Sequence, residues 1–194
     1  MHPMAQRGAP ARSESFERPD APLQDAMDRY ATGDDAAFEF LYDALAPRLR
    51  GMLRRKGCDS AQVEDLLQQT FLRIHLARAH YHRGQDVVPW AFAIARNLLI
   101  DVWRHRKYEE QKAEPFVQQP AHPDDALIAG ETARQLARGL DALPARSRDA
   151  FTLVKLDGLS LEQAAQVLGT TVTATKLRVH RAYQALRSAT QEAK

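Results

Sequence analysis

The sequence predicts an all-helical protein of two small helical domains joined by a flexible linker. Three observations predict it. Apolar residues recur at helical spacing through most of the 194 residues, and hardly any stretch alternates as a strand would. That periodicity stops between Glu109 and Asp125, a stretch holding Pro115, Pro120 and Pro123, and resumes beyond it. Gly158 to Leu186 then reads as two helices around a tight turn containing Gly169, the layout of a helix-turn-helix. The expected boundaries are a disordered tail over 1–22, a first domain over 23–110, a linker over 111–124 and a second domain over 125–194.

Met1 to Pro22 is rich in Pro, Ala, Arg and Ser and has no periodicity, hence the disordered tail. Leu23 to Tyr30 forms a short helix broken by Gly33, and Asp34 or Asp35 stands where the next helix needs a cap. That helix carries Phe38, Leu41, Tyr42, Leu45, Leu49 and Leu53 on one stripe, with Pro47 inside it as a point of bending. Arg54, Arg55 and Lys56 suit its C-terminal end, and Gly57 closes it.

Asp59 or Ser60 starts a longer helix, expected over residues 60–82. It buries Val63, Leu66, Leu67, Thr70, Phe71, Ile74 and Tyr81. Its other side carries Glu64, Asp65, Gln68, Gln69, Leu72, Arg73 and His75. A leucine among amides and charges hints at a protein-binding surface, although one exposed leucine is normal by itself.

A polar loop over His82–Val88 contains Arg83, Gly84, Gln85 and Asp86, and Pro89 suits the first turn of the helix that follows. There Ala91, Ile94, Ala95, Leu98 and Val102 make one stripe, and Trp90, Phe92, Leu99 and Trp103 add bulk. Arg96, Asn97, Asp101, Arg104, Arg106 and Lys107 supply polar groups. Aromatic and basic residues interleaved on one element can stack unpaired bases and hold a backbone. Trp103 stands open between that role and a place in the core.

Beyond the linker, helices are expected over about Asp125–Leu140 and again after Pro144. There Phe151, Leu153, Val154 and Leu156 are expected to pack against the helix-turn-helix. Ser160 can cap its first helix, with Gln163 at the capping-box position. Gly169 ends that helix, where a left-handed residue costs little, and Thr171 can cap the second. Val172, Thr175, Val179, Ala182 and Leu186 should face the core. Thr173, Lys176, Leu177, His180 and Arg181 fall on another side, with Arg178 beside them. Donors, cations and one apolar contact are what base edges and phosphates in a major groove require. An amphipathic hairpin with a solvated basic face would share the pattern.

A hydrophobic content of 44% and a charged content of 27% suit a soluble globular protein. Net charge is only +2, yet the basic residues gather at Arg48–Lys56, Arg104–Lys107 and Lys176–Arg187, as nucleic-acid binding favours. Cys58 is the single cysteine, so no disulfide can form within the chain and a reducing compartment is expected. No apolar run reaches the roughly 18 residues of a membrane span, and the N-terminus lacks a signal-peptide core. A cytoplasmic protein with no membrane span of its own is expected. No nucleophile–base pair, phosphate loop or metal-type carboxylate cluster is present, so no catalytic residues and no enzyme are expected. His75, His80 and His82 lack ligand partners at a convincing spacing, and no metal or cofactor is expected.

Two segments together resemble the sigma-70 family, specifically its short extracytoplasmic-function type. The first is DLLQQTFLRIH followed by PWAFAIARNLLIDVWRHRK; the second is ALPARSRDAFTLVKLDGLSLEQAAQVLGTTVTATKLRVHRAYQAL. The resemblance covers nearly everything from Leu23 to Arg187. It implies a protein that joins core RNA polymerase and directs it to promoter DNA, with an anti-sigma factor as the usual further partner. By position, Asp65, Gln68, Gln69, Leu72 and Arg73 lie where the family contacts the polymerase coiled coil. Arg83, Gln85 and Asp86 in the loop lie where −10 bases are held. Asn97, Asp101 and Arg104, in the RNxxxDxxR pattern of the next helix, lie there too. Thr173, Lys176, Leu177, Arg178, His180 and Arg181 fall to the −35 reading helix.

The chain departs from the family at three positions. Thr175 stands for a common Val, tolerable if its hydroxyl bonds back to a backbone carbonyl. Leu177 stands for a common Ser and suits a thymine methyl, and Gln69 stands for a frequent Glu. The other reading is a helix-turn-helix transcriptional regulator without sigma activity, which would not need the Asp65–Arg73 face.

Overall fold

The structure, a computed structural model, describes residues 20–112 and 138–191, and every regular element among them is helical. The expected tail over 1–22 lies mostly outside the described residues, but its last two residues begin helix α1 (Ala21–Ala31), with Pro22 near the N-terminus. Gly33 turns the chain at φ 103°. Contrary to expectation, neither Asp34 nor Asp35 caps α2 (Ala37–Arg55), whose N-cap is Ala36. Backbone bonds close the turn instead: Ala37 N donates to Asp34 O and Phe38 N to Asp35 O, each at 3.1 Å. The Asp34 carboxylate faces Arg29 at 3.4 Å. Leu41, Leu45, Leu49 and Leu53 recur at every fourth residue of α2 and are all fully buried. Truncating any one to Ala should cost about 2–5 kcal/mol.

Asp59 is the cap of α3 (Ser60–Ala77): its Oδ1 accepts from Gln62 N at 2.9 Å, and Gln62 Oε1 accepts from Asp59 N. The helix is shorter than the expected 60–82. It gives way to a 3-10 turn at Arg78–His80, and Tyr81 is extended. Tyr81 explains the break. Its ring packs on Trp90 at 5.1 Å, its oxygen accepts from Gln24 Nε2 at 2.6 Å, and its hydroxyl donates to the Gln85 carbonyl. A continuing helix could not bring that side chain back between α1 and the next helix.

Helix α4 (Val87–Lys112) starts two residues before Pro89 and outruns the expected end of the domain at 110. Its start is set by one tertiary and one local bond: Val87 N donates to Gln24 Oε1 and Val88 N to Asp86 Oδ1, each at 3.2 Å. Two otherwise orphaned donors are thereby satisfied while both valines are wholly buried. Pro115, Pro120 and Pro123, with most of the expected linker and helix 125–140, lie outside the described residues.

Residues 138–142 are helical again. Helix α5 (Ala145–Phe151) continues into a wider π-type turn at Thr152–Leu156. That turn changes which side chains face inward. Phe151 packs with Leu143, Ala182 and Leu186, whereas Leu153 and Val154 join the N-terminal core and Leu156 is exposed. Leu153 and Val154 share that core with Leu159, Ala164 and Val167 of the helix-turn-helix, so among the four expected to pack there only the exposed Leu156 does not.

Helix α6 (Leu161–Leu168) has the complete capping box: Gln163 N donates to Ser160 Oγ at 3.1 Å and Ser160 N to Gln163 Oε1 at 2.9 Å. Gly169 ends it in the left-handed region at φ 60°. Thr171 Oγ1 accepts from Ala174 N at 3.2 Å and starts α7 (Val172–Gln191). Thr175 is fully buried and donates to the Thr171 carbonyl at 3.1 Å, the back-bond its position demands. Val172, expected in the core, is 40% exposed. It is the first residue of its helix, and a helical side chain leans toward the N-terminus, so Val172 projects past the helix into solvent.

The halves are docked. Leu153, Leu159, Ala164 and Val167 belong to one core with the apolar residues of α1 to α4, and α6 packs along α4. Charges line the seam. Lys56 pairs with Asp149, Arg55 with Asp157, and Arg96 Nη2 lies 3.9 Å from Asp149 Oδ2. The linker stretch visible in the sequence thus does not separate two bodies lacking contact.

Candidate nucleic-acid and polymerase interfaces

Three surfaces gather the residues singled out in the sequence. The first is the outer face of α3. Asp65, Gln68, Gln69, Leu72 and Arg73 are all exposed, and Leu72 shows 55% of its surface. Leu76, one turn on, shows 68% and extends the same ridge. Sequence reasoning missed it, although its i+4 spacing from Leu72 was a usable signal. The opposite face of α3 is buried, and Glu64 clamps it to α2 through two bonds from Arg50, at 2.9 and 3.2 Å. Those bonds hold the Glu64 carboxyl below its ordinary pKa. His75 Nδ1 lies 2.6 Å from the Tyr30 hydroxyl, and Arg78 sits over the Tyr30 ring at 5.4 Å. Among the described residues no group of three His, Cys, Asp or Glu side chains could hold a metal ion. Cys58 is buried, which pushes its thiol up in pKa.

The second surface is the loop before α4 and the helix itself. Arg83 and Gln85 are exposed. Asp86 is not free: Oδ1 accepts from Val88 N and Oδ2 accepts from Gln163 Nε2 at 2.8 Å. Asn97, Asp101 and Arg104 are exposed at i, i+4 and i+7, with Arg104 Nη1 3.9 Å from Asp101 Oδ1. Trp103 is 44% exposed, so the core reading of that ring is set aside. The loop, Trp90 and Arg48 line one wall of a cleft of about 1230 Å³ whose other wall is Gly158–Gln166.

The third surface is α7. Thr173, Lys176, Leu177, His180 and Arg181 are exposed together, with Leu177 showing 46% of its surface. Arg178 is half-buried and lies off that face. Thr175 and Ala182, fully buried on the inner side, fix the rotation of the helix.

Residues 41–108 match the family model of sigma-70 region 2, and residues 133–186 match that of sigma-70 region 4. The RNA polymerase sigma factor CarQ of Myxococcus xanthus is 35% identical over 167 residues, covering 83% of this chain and 93% of its own. The extracytoplasmic-function sigma factor SigF of Caulobacter vibrioides is 40% identical over 166 residues, covering 84% and 91%. The chain belongs to the sigma-70 family, among its extracytoplasmic-function members. Two solved structures are similar to it, each with a TM-score of 0.66 and 26% identity. One is CnrH in complex with the cytosolic domain of CnrY, covering 88% of this chain and 97% of that one. The other is RpoE in complex with the anti-sigma factor NepR from Bartonella quintana, covering 79% and 96%. Among the described residues of this sigma factor no helix is long and apolar enough to cross a membrane.

Proposed function

We propose that this sigma factor binds core RNA polymerase through the α3 ridge, holds the unwound −10 element with the α4 side of the cleft, and reads the −35 element with α7. One observation carries the reading: Leu72 and Leu76 stand exposed in a polar setting on a helix whose other face is locked in the core. A DNA-binding regulator has no use for that ridge; a subunit of a larger machine does.

The chemistry divides in the same way. Opening DNA requires a surface that favours unstacked bases, and unstacking costs a few kcal/mol per step. Arg83, Gln85, Asn97, Arg104 and the exposed ring of Trp103 supply cations, amides and a stacking surface. Duplex reading needs a rigid helix in the major groove, and α7 presents Lys176, Leu177, His180 and Arg181 from a fixed rotation. The protein works in the cytoplasm and carries out no catalysis of its own, the polymerase supplying the chemistry. Control by an anti-sigma factor is supported by its likeness to RpoE, solved in complex with the anti-sigma factor NepR.

The test is reconstitution of the full chain with core RNA polymerase on promoters selected from random DNA by the assembled enzyme. Specific initiation that depends on the chain supports the reading. Sequence-specific DNA binding without initiation would replace it with a helix-turn-helix regulator.

A further inference from the structure

We propose that a cavity between the halves is a binding site for a small neutral molecule with an apolar body and one hydroxyl, which donates to the unpartnered Oδ2 of Asp157. The site lies apart from the polymerase and promoter surfaces and rests on neither.

Both halves build it. Met52, Phe92 and Leu99 come from α2 and α4, and Leu153, Val167 and Leu168 come from the π-type turn and α6. Ile100 and Trp103 also line it, and Trp103, 44% exposed, stands at its rim. The cavity measures about 60 Å³. A whole benzene ring is enclosed by roughly 150 Å³, so a ring enters edge-first here and its remainder lies against Trp103. Apolar walls with a few placed polar groups are the usual make-up of a small-molecule site.

Asp157 decides the chemistry. Its side chain is wholly covered, and Arg55 pairs with Oδ1. Oδ2 is buried with no hydrogen-bond partner among the described residues. Burial raises the Asp157 carboxyl in pKa and Arg55 opposes the rise. A buried acceptor left unpaired is unfavourable, and a donor from a ligand relieves it. An anion brings only acceptors to that oxygen. A cation meets Arg55 beside it, with Lys56 and Arg96 close by around Asp149. A neutral donor avoids both penalties. Because the walls belong to both halves, a bound molecule also stabilises their docked arrangement by mass action.

The experiment uses the free full chain with isotope-labelled isoleucine methyls. Ile100 lines the cavity, and Ile74, buried on α3, is the internal control. The probes are phenol, toluene, benzoate and benzylamine. Phenol should shift the Ile100 resonance saturably in the millimolar range and leave Ile74 in place. It should bind about tenfold tighter than toluene, as one hydrogen bond to a charged group requires. Benzoate and benzylamine should bind no better than toluene. Asp157→Asn keeps the shape, turns its carbonyl oxygen to Arg55 and offers an amide donor in place of Oδ2. There phenol should weaken about tenfold, and anisole, an acceptor without a donor, should overtake it. If that variant fails to fold, the phenol-to-toluene ratio in the parent still decides. An Ile100 resonance unmoved by phenol up to its solubility limit overturns the site. So does equal binding of toluene, or a preference for either charged probe. No polymerase or DNA is present, so this outcome and that of the initiation test stand apart.

Discussion

One side chain, Gln163, closes the first helix of the helix-turn-helix and bridges the halves. Its Oε1 accepts from Ser160 N at 2.9 Å while its Nε2 donates to Asp86 Oδ2 at 2.8 Å. Gln163→Glu separates the two roles. The carboxylate keeps the acceptor for Ser160 and, in the first turn of a helix, is favoured by the dipole. It also places a like charge against Asp86 and Asp20. If only the cap mattered, Glu would be neutral or stabilising and Ala would cost about 1 kcal/mol. With the bridge in place, Gln163→Glu should lower stability by about 2 kcal/mol, a hydrogen bond to charged groups being worth roughly 1.5–3. Urea denaturation of the parent and the Glu variant decides it, and a Glu variant as stable as the parent would remove the bridge from the account.

The α3 ridge gives a cleaner separation of binding from folding. Leu72 and Leu76 are 55% and 68% exposed, so an arginine at either position displaces nothing inside the protein. Leu72→Arg and Leu76→Arg should leave the unfolding free energy within about 0.5 kcal/mol of the parent, as surface substitutions do. Each should abolish co-purification with core polymerase. Normal co-purification of both would move the polymerase contact off α3.

The local signals in the sequence were strong where a few neighbouring residues settle the structure. The helix start at Asp59, the Ser160–Gln163 capping box, the left-handed Gly169, the Thr171 cap and the Thr175 back-bond all form. Each involves groups within about four positions of one another, so the spacing alone carries it. The docking of the halves left no such trace. Lys56 and Asp149 lie 93 residues apart, and neither has a neighbour pattern that names the other. The same long reach hid the fate of Asp86, whose second oxygen is taken from 77 residues away. The end of α3 was misplaced for a related reason: residues 78–82 could continue a helix, but Tyr81 is drawn to Gln24 and Trp90. At Val172 the periodicity was right and the geometry of a first turn overrode it.

Tyr81 carries a pH signature. Its partial burial pushes the phenol up to about 12 against an ordinary 10. The unfolded chain ionises first, so this group's stabilising contribution is full below pH 10 and is lost as pH rises toward 12. Tyr30 shifts in the same direction, also by burial. Tyr81→Phe should lose the hydroxyl's bonds to Gln24 and Gln85 at neutral pH and show a shallower fall in urea midpoint on the alkaline side. An alkaline fall as steep as the parent's would place the titrating group elsewhere.

The reading face of α7 predicts two kinds of loss. Lys176 and Arg181 are exposed cations on one side of a helix held by buried Thr175 and Ala182. A phosphate contact carries no sequence information, and its removal weakens all duplexes alike while reducing the salt slope by about 0.9. A contact to base edges discriminates by about 1–3 kcal/mol, and its removal relaxes preference at one base pair. Lys176→Ala and Arg181→Ala should each weaken footprinting of the upstream element by the assembled enzyme, and the salt slope assigns each to one kind. Leu177→Ser tests the apolar contact: it should shift preference away from thymine at one position with little change in slope. Unchanged upstream footprints in all three variants would detach α7 from the −35 element and leave the helix-turn-helix without its proposed ligand.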